Sequence, residues 1–231
     1  MTATAPALVT GPAPLYLSRI RLRRDPGIAA LAPLLLSGDA LGHRMAWSAY
    51  ATGDQSATRD FLFREMEPGE FLALAPRVPD GNSLFEVESK PWRPALVAGQ
   101  RLGFSLRCNA TVSRSAEAGS RGARHGVAYD ALQRLPREER ARRRAEVTHD
   151  AATGWLSRQL DGAATVETLI VEAARRTEIR REGKGAAVLD IMDLSGTVRV
   201  VDGALLVARI ARGFGRGRAF GCGLLLLRRL D

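Results

Sequence analysis

Gly213-Phe214-Gly215-Arg216-Gly217-Arg218-Ala219-Phe220-Gly221-Cys222-Gly223 runs directly into the apolar stretch Leu224 to Leu227. Asp202 to Arg212 precedes it and reads as a helix, with Leu205, Leu206, Val207 and Ile210 on its apolar side. Leu224 to Arg229 reads as a strand that starts out buried. The glycines therefore leave a helix and enter a strand. Dinucleotide-binding glycine loops run the other way, from a strand into a helix. The spacing disagrees as well, because the residue three after Gly217 is Phe220. No Gly-Lys-Ser/Thr follows, which excludes a Walker A phosphate loop. Two readings stay open: a turn that needs several unusual backbone angles, or a backbone platform with Arg216 and Arg218 on phosphates.

Towards the N-terminus, strands and helices continue to alternate. Thr165 to Arg180 and Ala187 to Val201 read as strands, the second broken by a turn at Ser195-Gly196. Tyr129 to Val147 and Thr148 to Leu160 read as two helices. Ser113 to Gly126 is rich in Ser, Gly, Ala and Arg and reads as a linker or mobile loop. Before it, Gln100 to Val112 alternates well, with Leu102, Phe104, Leu106 and Cys108 on one face and Arg101, Ser105 and Arg107 on the other. Asp60 to Arg64 and Glu70 to Ala75 are strands joined by a Pro68-Gly69 turn. Ser37-Gly38-Asp39 caps a short helix over residues 40–50, and Leu15 to Leu22 is a strand with a basic face. The pattern predicts an α+β chain of two tandem ferredoxin-like (RRM-like) domains. The expected divisions are a flexible extension over 1–14, an N-terminal domain over 15–112, a linker over 113–128 and a C-terminal domain over 129–231.

The chain has 231 residues and a formal net charge of +9. Residues 1–100 carry ten basic and ten acidic residues, while 101–231 carry 24 and 15, so the whole excess lies in the second half. That imbalance points to a polyanionic partner. Arginine usage alone, 32 against two lysines, is weaker evidence, because GC-rich coding would give the same. Arg142-Arg143-Arg144 is either a solvated face or a phosphate contact. The first basic residue is Arg19, so no charged signal-peptide start is visible, and no apolar run is long enough to span a membrane. Cys108 and Cys222 lack metal-ligand spacing and read as reduced thiols, which suits a cytoplasmic protein.

The three histidines, His43, His125 and His149, are too few and too dispersed for a metal site, and no close carboxylate pair suggests a two-metal nuclease. His125 falls in the predicted linker, and His149 reads as a surface or capping residue. His43 follows a glycine on a short helix beside Arg44. Taken alone, it reads as an ordinary surface or core residue.

Several segments in order carry a resemblance. They are Leu15-Tyr16-Leu17-Ser18-Arg19-Ile20, His43-x-x-x-Trp47, Arg59-Asp60-Phe61-Leu62-Phe63-Arg64, Leu106-Arg107-Cys108-Asn109, and the terminal Gly213-x-Gly215 followed by Gly221-Cys222-Gly223-Leu224-Leu225. Together they resemble the CasE family, the CRISPR RNA endoribonucleases of type I-E systems, from Leu15 to Leu227. The resemblance implies two ferredoxin-like domains and cleavage of precursor CRISPR RNA at the 3′ base of the repeat hairpin, with neither metal nor cofactor. It also implies retention on the product hairpin beside other Cascade subunits, a backbone subunit among them.

His43 matches the family's catalytic histidine. The resemblance points to Arg64, Arg107, Asn109, Lys184 and the terminal loop (Gly215, Arg216, Gly217, Arg218) for RNA binding. Lys184 lies between glycines, and a plain surface turn is the other reading of that segment. Where the family often carries a tyrosine three residues before the histidine, this chain has Ala40. The second proton-transfer group stays open among Arg44, Lys184 and the 2′-hydroxyl with water. A non-catalytic RNA-binding subunit of the same superfamily is the alternative reading.

Overall fold

The computed structural model describes residues 14–24, 41–50, 60–80, 84–114, 123–181 and 185–230. The first half holds β1 (Tyr16–Leu22), α1 (Leu41–Ser48), β2 (Leu62–Glu67), β3 (Glu70–Ala75) and β4 (Phe85–Pro91). They form one antiparallel sheet in the order β2-β3-β1-β4. This is the ferredoxin-like arrangement: β1 and β2 are joined across α1, with β3 inserted between them. Gly69 at φ +78° makes the tight β2–β3 turn. Between β3 and β4 the fold ordinarily has a second helix, but residues 76–80 are bent or extended. Pro76 and Pro79 account for this, since proline removes a helical donor and clashes with the preceding turn.

The second half repeats the plan in full: β5 (Arg101–Asn109), α2 (Val127–Gln133) and α3 (Arg144–Leu160), β8 (Ala164–Arg181), β9 (Gly185–Val200), α4 (Gly203–Arg212) and β10 (Leu225–Arg229). The sheet order is β10-β5-β9-β8. A separate two-stranded hairpin, β6 (Thr111–Arg114) and β7 (Ala123–Gly126), follows β5. The α+β, tandem ferredoxin-like expectation is met.

Four expectations need correction. β5 does not close the first domain at residue 112: it pairs with β9 and β10 and is the first strand of the second sheet. Its alternation reveals which face is apolar but not which strands flank it. The segment predicted as a linker over 113–128 is in part the β6–β7 hairpin and the start of α2, with residues 115–122 outside the described set. The predicted helix over 129–147 breaks after α2, because Pro136 cannot continue it, and α3 begins at Arg144. β9 runs unbroken through Ser195-Gly196. A Cβ on Gly196 would sit 2.1 Å from the Thr168 carbonyl oxygen, so glycine serves close strand approach there, not a turn.

Two faces of the first sheet bury different residues. Ile20, Phe63, Phe71 and Phe85 pack under α1 with Met45, Ala46 and Ala49. Leu62 and Leu74, opposite one another on β2 and β3, join the second core instead. There they meet Leu102, Phe104, Leu106 and Cys108 of β5, Trp155 and Leu156 of α3, and Leu206 and Ile210 of α4. The two sheets thus share buried surface at the place where the glycine loop lies.

Candidate nucleic-acid interface

The loop begins where α4 ends. Asp202 caps that helix by accepting a hydrogen bond from the Leu205 N–H at 2.9 Å, and Gly213 at φ +78° ends it. All five loop glycines have positive φ, from +70° at Gly215 to +98° at Gly223. The path is fixed by backbone bonds: the Phe214 N–H donates to the Gly223 carbonyl at 2.9 Å, and the Gly223 N–H to the Arg107 carbonyl at 2.8 Å. The Arg216 N–H donates to the Asn109 carbonyl at 3.2 Å. Packing is equally restrictive, because a Cβ on Gly215 would lie 2.9 Å from the Asn109 carbonyl oxygen and 3.0 Å from the Trp155 ring. The loop is therefore a rigid pedestal: Phe214 is buried inside it, while Arg216 and Arg218 point outward and are exposed. Arg218 also donates to the Gly213 carbonyl at 3.3 Å.

Asn109 stands beneath the pedestal and is buried. Its Oδ1 accepts from the Asp190 N–H at 3.2 Å, which ties β5 to β9, and its own carbonyl holds the loop. Asn109, expected from the sequence to contact RNA, is thus a buried post that carries the glycine loop.

Beside it, Arg107 forms a two-point pair with Asp193, Nε to Oδ1 at 2.7 Å and Nη2 to Oδ2 at 3.1 Å. Arg175 reaches the same Oδ2 at 3.2 Å. Strand register makes the pairing direct, since Arg107 and Asp193 are partners across β5 and β9. Arg64, from the other sheet, donates to the Ser105 hydroxyl at 2.6 Å. Burial pulls the Arg64 guanidinium below its ordinary pKa; Asp193 opposes that pull and Arg107 adds to it. Hydrogen bonding to Asp193 raises Arg107. Burial works against ionisation of Asp193, yet hydrogen bonds from Arg107 and Arg175 outweigh it and hold the carboxyl below the usual range. Three guanidiniums around one carboxylate leave an excess positive charge at the junction of the sheets.

Sequence reading gives Asp193 no part. A signal exists, because aspartate is depleted inside strands and a mid-strand Asp asks for a partner.

The short 3-10 turn of the loop, Arg218–Phe220, packs against α1 and against β2. Through it the loop, the Arg64 strand and the helix that includes His43 meet at one place. The His43 and Arg44 side chains, Ala40 and Lys184 lie outside the described residues. His149 lies on α3 with Nε2 3.1 Å from the Leu169 carbonyl oxygen, so it does not cap the helix. His125 lies on β7, its ring against that of Tyr129 at a centroid distance of 6.1 Å. Among the described residues, no helix is long and apolar enough to cross a membrane.

The family described as CRISPR associated protein matches residues 15–229. The CRISPR-associated endoribonuclease Cse3 of Thermus thermophilus is 29% identical over 180 residues, which cover 70% of this chain and 74% of Cse3. A solved structure of Cse3 bound to a 19-nucleotide RNA superposes with a TM-score of 0.66 at 23% identity, covering 93% of this chain and 99% of that one. A subunit of a CRISPR RNA-guided surveillance complex superposes with a TM-score of 0.59 at 16% identity, over 93% of this chain and all of that one (100%).

Proposed function

This chain belongs to the CRISPR associated protein family, as its CasE-like segments lead one to expect, and on that premise we propose that it is a CRISPR-repeat endoribonuclease. It cleaves precursor CRISPR RNA at the base of the repeat stem-loop and stays on the product hairpin as a subunit of a surveillance complex. The observation that supports this reading is the meeting of α1, β2 and the glycine loop beside the Arg64–Arg107–Asp193 cluster.

The chemistry needs no cofactor, because RNA supplies its own nucleophile. The 2′-oxygen attacks the adjacent phosphorus, the O2′–P bond forms and the P–O5′ bond breaks. The 2′-hydroxyl loses its proton, and the departing 5′-oxygen gains one. A 2′,3′-cyclic phosphate and a 5′-hydroxyl result. His43 transfers a proton at one of these oxygens, since imidazole titrates near neutrality. The cationic cluster and the loop arginines Arg216 and Arg218 neutralise phosphate charge that grows in the transition state. Lys184 adds a phosphate contact, and Asn109 with Gly215 and Gly217 shapes the loop that receives the RNA backbone. Stem recognition runs through phosphates and 2′-hydroxyls, because the deep groove of an A-form helix is closed to side chains.

The test is incubation of end-labelled repeat RNA in EDTA with the wild-type chain and with His43→Ala. Wild type yields the cyclic phosphate. The variant binds the hairpin equally well but cleaves about 100- to 10,000-fold more slowly. Unchanged cleavage by the variant overturns the part given to His43, and cleavage that stops in EDTA overturns metal independence.

A further inference from the structure

A cleft of about 320 Å³ opens between the glycine loop and the β6–β7 hairpin. Arg216, Gly217 and Arg218 line one side, and Arg124 and His125 line the other. Arg124 and Arg216 are exposed, and neither has an ion-pair partner among the described residues. Their neighbour Arg114, by contrast, is held by Asp130 at 2.7 Å. Asp190 also lines the cleft, so three guanidiniums face one carboxylate and the net charge is positive.

The wall also carries flat groups. The His125 ring lies at 29° to Tyr129, and the Arg176 guanidinium caps the same tyrosine 4.6 Å from its centroid. The stack fixes the orientation of His125 at the edge of the cleft.

Unpaired cations beside a fixed aromatic ring are the elements of a single-strand nucleic-acid site, in which arginine takes phosphate and a ring takes the base face. A duplex cannot use such a ring, because its bases are already stacked. The volume, near the lower end of the roughly 300–1,000 Å³ typical of small-ligand sites, suits one nucleotide. We propose that this cleft is a subsite for one unpaired nucleotide flanking the repeat stem, with Arg124 and Arg216 on its phosphate and His125 against its base. The proposal rests on the RNA-processing reading above and extends the interface to a hairpin that the sequence presents as a linker.

The experiment measures fluorescence anisotropy with a repeat hairpin carrying 2′-deoxyribose at the scissile position, so that nothing is cut. Five forms are compared: blunt, one extra 5′ nucleotide, one extra 3′ nucleotide, and an abasic residue at each end in turn. One extension is expected to tighten binding about 5- to 100-fold over the blunt hairpin, with most of the gain lost when that residue is abasic. The double variant Arg124→Ala/His125→Ala is expected to lose that gain and to bind the blunt hairpin as wild type does. The proposal is overturned if neither extension tightens binding, if the abasic residue keeps the full gain, or if the gain survives in the double variant. The abasic arm uses the wild-type protein, so a misfolded variant does not rescue or sink the idea. If the blunt hairpin itself does not bind, the RNA-processing reading falls and takes this proposal with it.

Discussion

Gly215→Ala and Gly217→Ala, made singly, separate the two tasks of the glycine loop. The two residues have nearly equal φ, +70° and +73°, so the left-handed strain of an alanine is the same at both, about 1–2 kcal/mol. Their surroundings differ. At position 215 the new Cβ would meet the Asn109 carbonyl oxygen at 2.9 Å and the Trp155 ring at 3.0 Å. Neither can yield cheaply: Asn109 is buried with its side chain tied to Asp190, and Trp155 sits in the second core. Overpacking of that kind costs a further ~1–3 kcal/mol. At position 217 the nearest atoms are the Asn109 Cβ at 3.3 Å and the Asn109 Nδ2 and Cys222 Sγ at 3.6 Å, an encroachment of only a few tenths of an ångström. Gly215→Ala should thus destabilise the fold by about 2–5 kcal/mol and Gly217→Ala by about 1–2 kcal/mol. RNA binding should rank the other way, because the backbone of Gly217 lines the cleft and that of Gly215 does not. Urea unfolding midpoints give the first ranking, and anisotropy with the repeat hairpin, well below the unfolding transition, gives the second. Equal destabilisation by the two alanines refutes the packing argument. Undiminished hairpin affinity in Gly217→Ala refutes the loop as an RNA-facing platform.

Asp193→Asn removes a charge that Arg107 and Arg175 both use, and should lower stability at pH 7 by about 1–3 kcal/mol. Because the folded carboxyl titrates below its ordinary value, its stabilisation is complete above about pH 4 and is lost as the pH falls through the folded pKa. The gap between wild type and variant in urea unfolding should therefore close on acidification below about pH 4; a constant gap contradicts the pairing. Burial raises the Cys222 thiol to about 11 and pushes Cys108 well above its ordinary value. Both thiols should react with an aromatic disulfide reagent near neutral pH about two orders of magnitude more slowly than an unfolded thiol. Two equivalents should appear at once in denaturant, and fast reaction of the folded chain would contradict their burial.

Most local signals in this chain hold, the Ser195-Gly196 turn and the unbroken helix over 129–147 excepted, and non-local ones are silent. Asp202 followed by an apolar side announces α4, and the helix-to-strand sense of the glycine loop survives intact. Leu102 to Cys108 alternates so cleanly that the strand is unmistakable, yet nothing in it names Thr197 or Leu227 as neighbours. Partner choice depends on residues about 80 to 130 positions away, which is why alternation alone places β5 in the wrong domain. β4 is not legible because it is an edge strand, and Glu86, Glu88 and Lys90 swamp the short apolar signal of Phe85 and Val87. The site shows the same division. Residue type points to Arg64, Arg107 and the loop, but Asn109 as a buried post and Asp193 as a clamp emerge only when β5 and β9 come into register.

Net charge also changes meaning once the strands are paired. Among the described residues, four carboxylates each hold two arginines: Glu70 holds Arg19 and Arg21, Asp130 holds Arg114 and Arg134, Glu167 holds Arg101 and Arg199, and Asp193 holds Arg107 and Arg175. The Asp130, Glu167 and Asp193 knots are each left with one net positive charge, whereas at Glu70 the second carboxylate, Glu88, 3.4 Å from Arg21, cancels the excess; in all four the guanidinium planes are held in place. An arginine has five N–H donors, and a carboxylate takes only one or two of them, so the rest stay open to phosphate. A chain with freely rotating arginines would lose side-chain entropy at every phosphate it met. Here the acidic partners have already ordered many of the cations. On the proposed reading, the excess of +9 would meet RNA partly as prearranged charges on the sheets and partly as the arginines of the loop and hairpin. Binding that depends on so many phosphate contacts should weaken steeply with salt, and the slope of log K against log salt counts the contacts made.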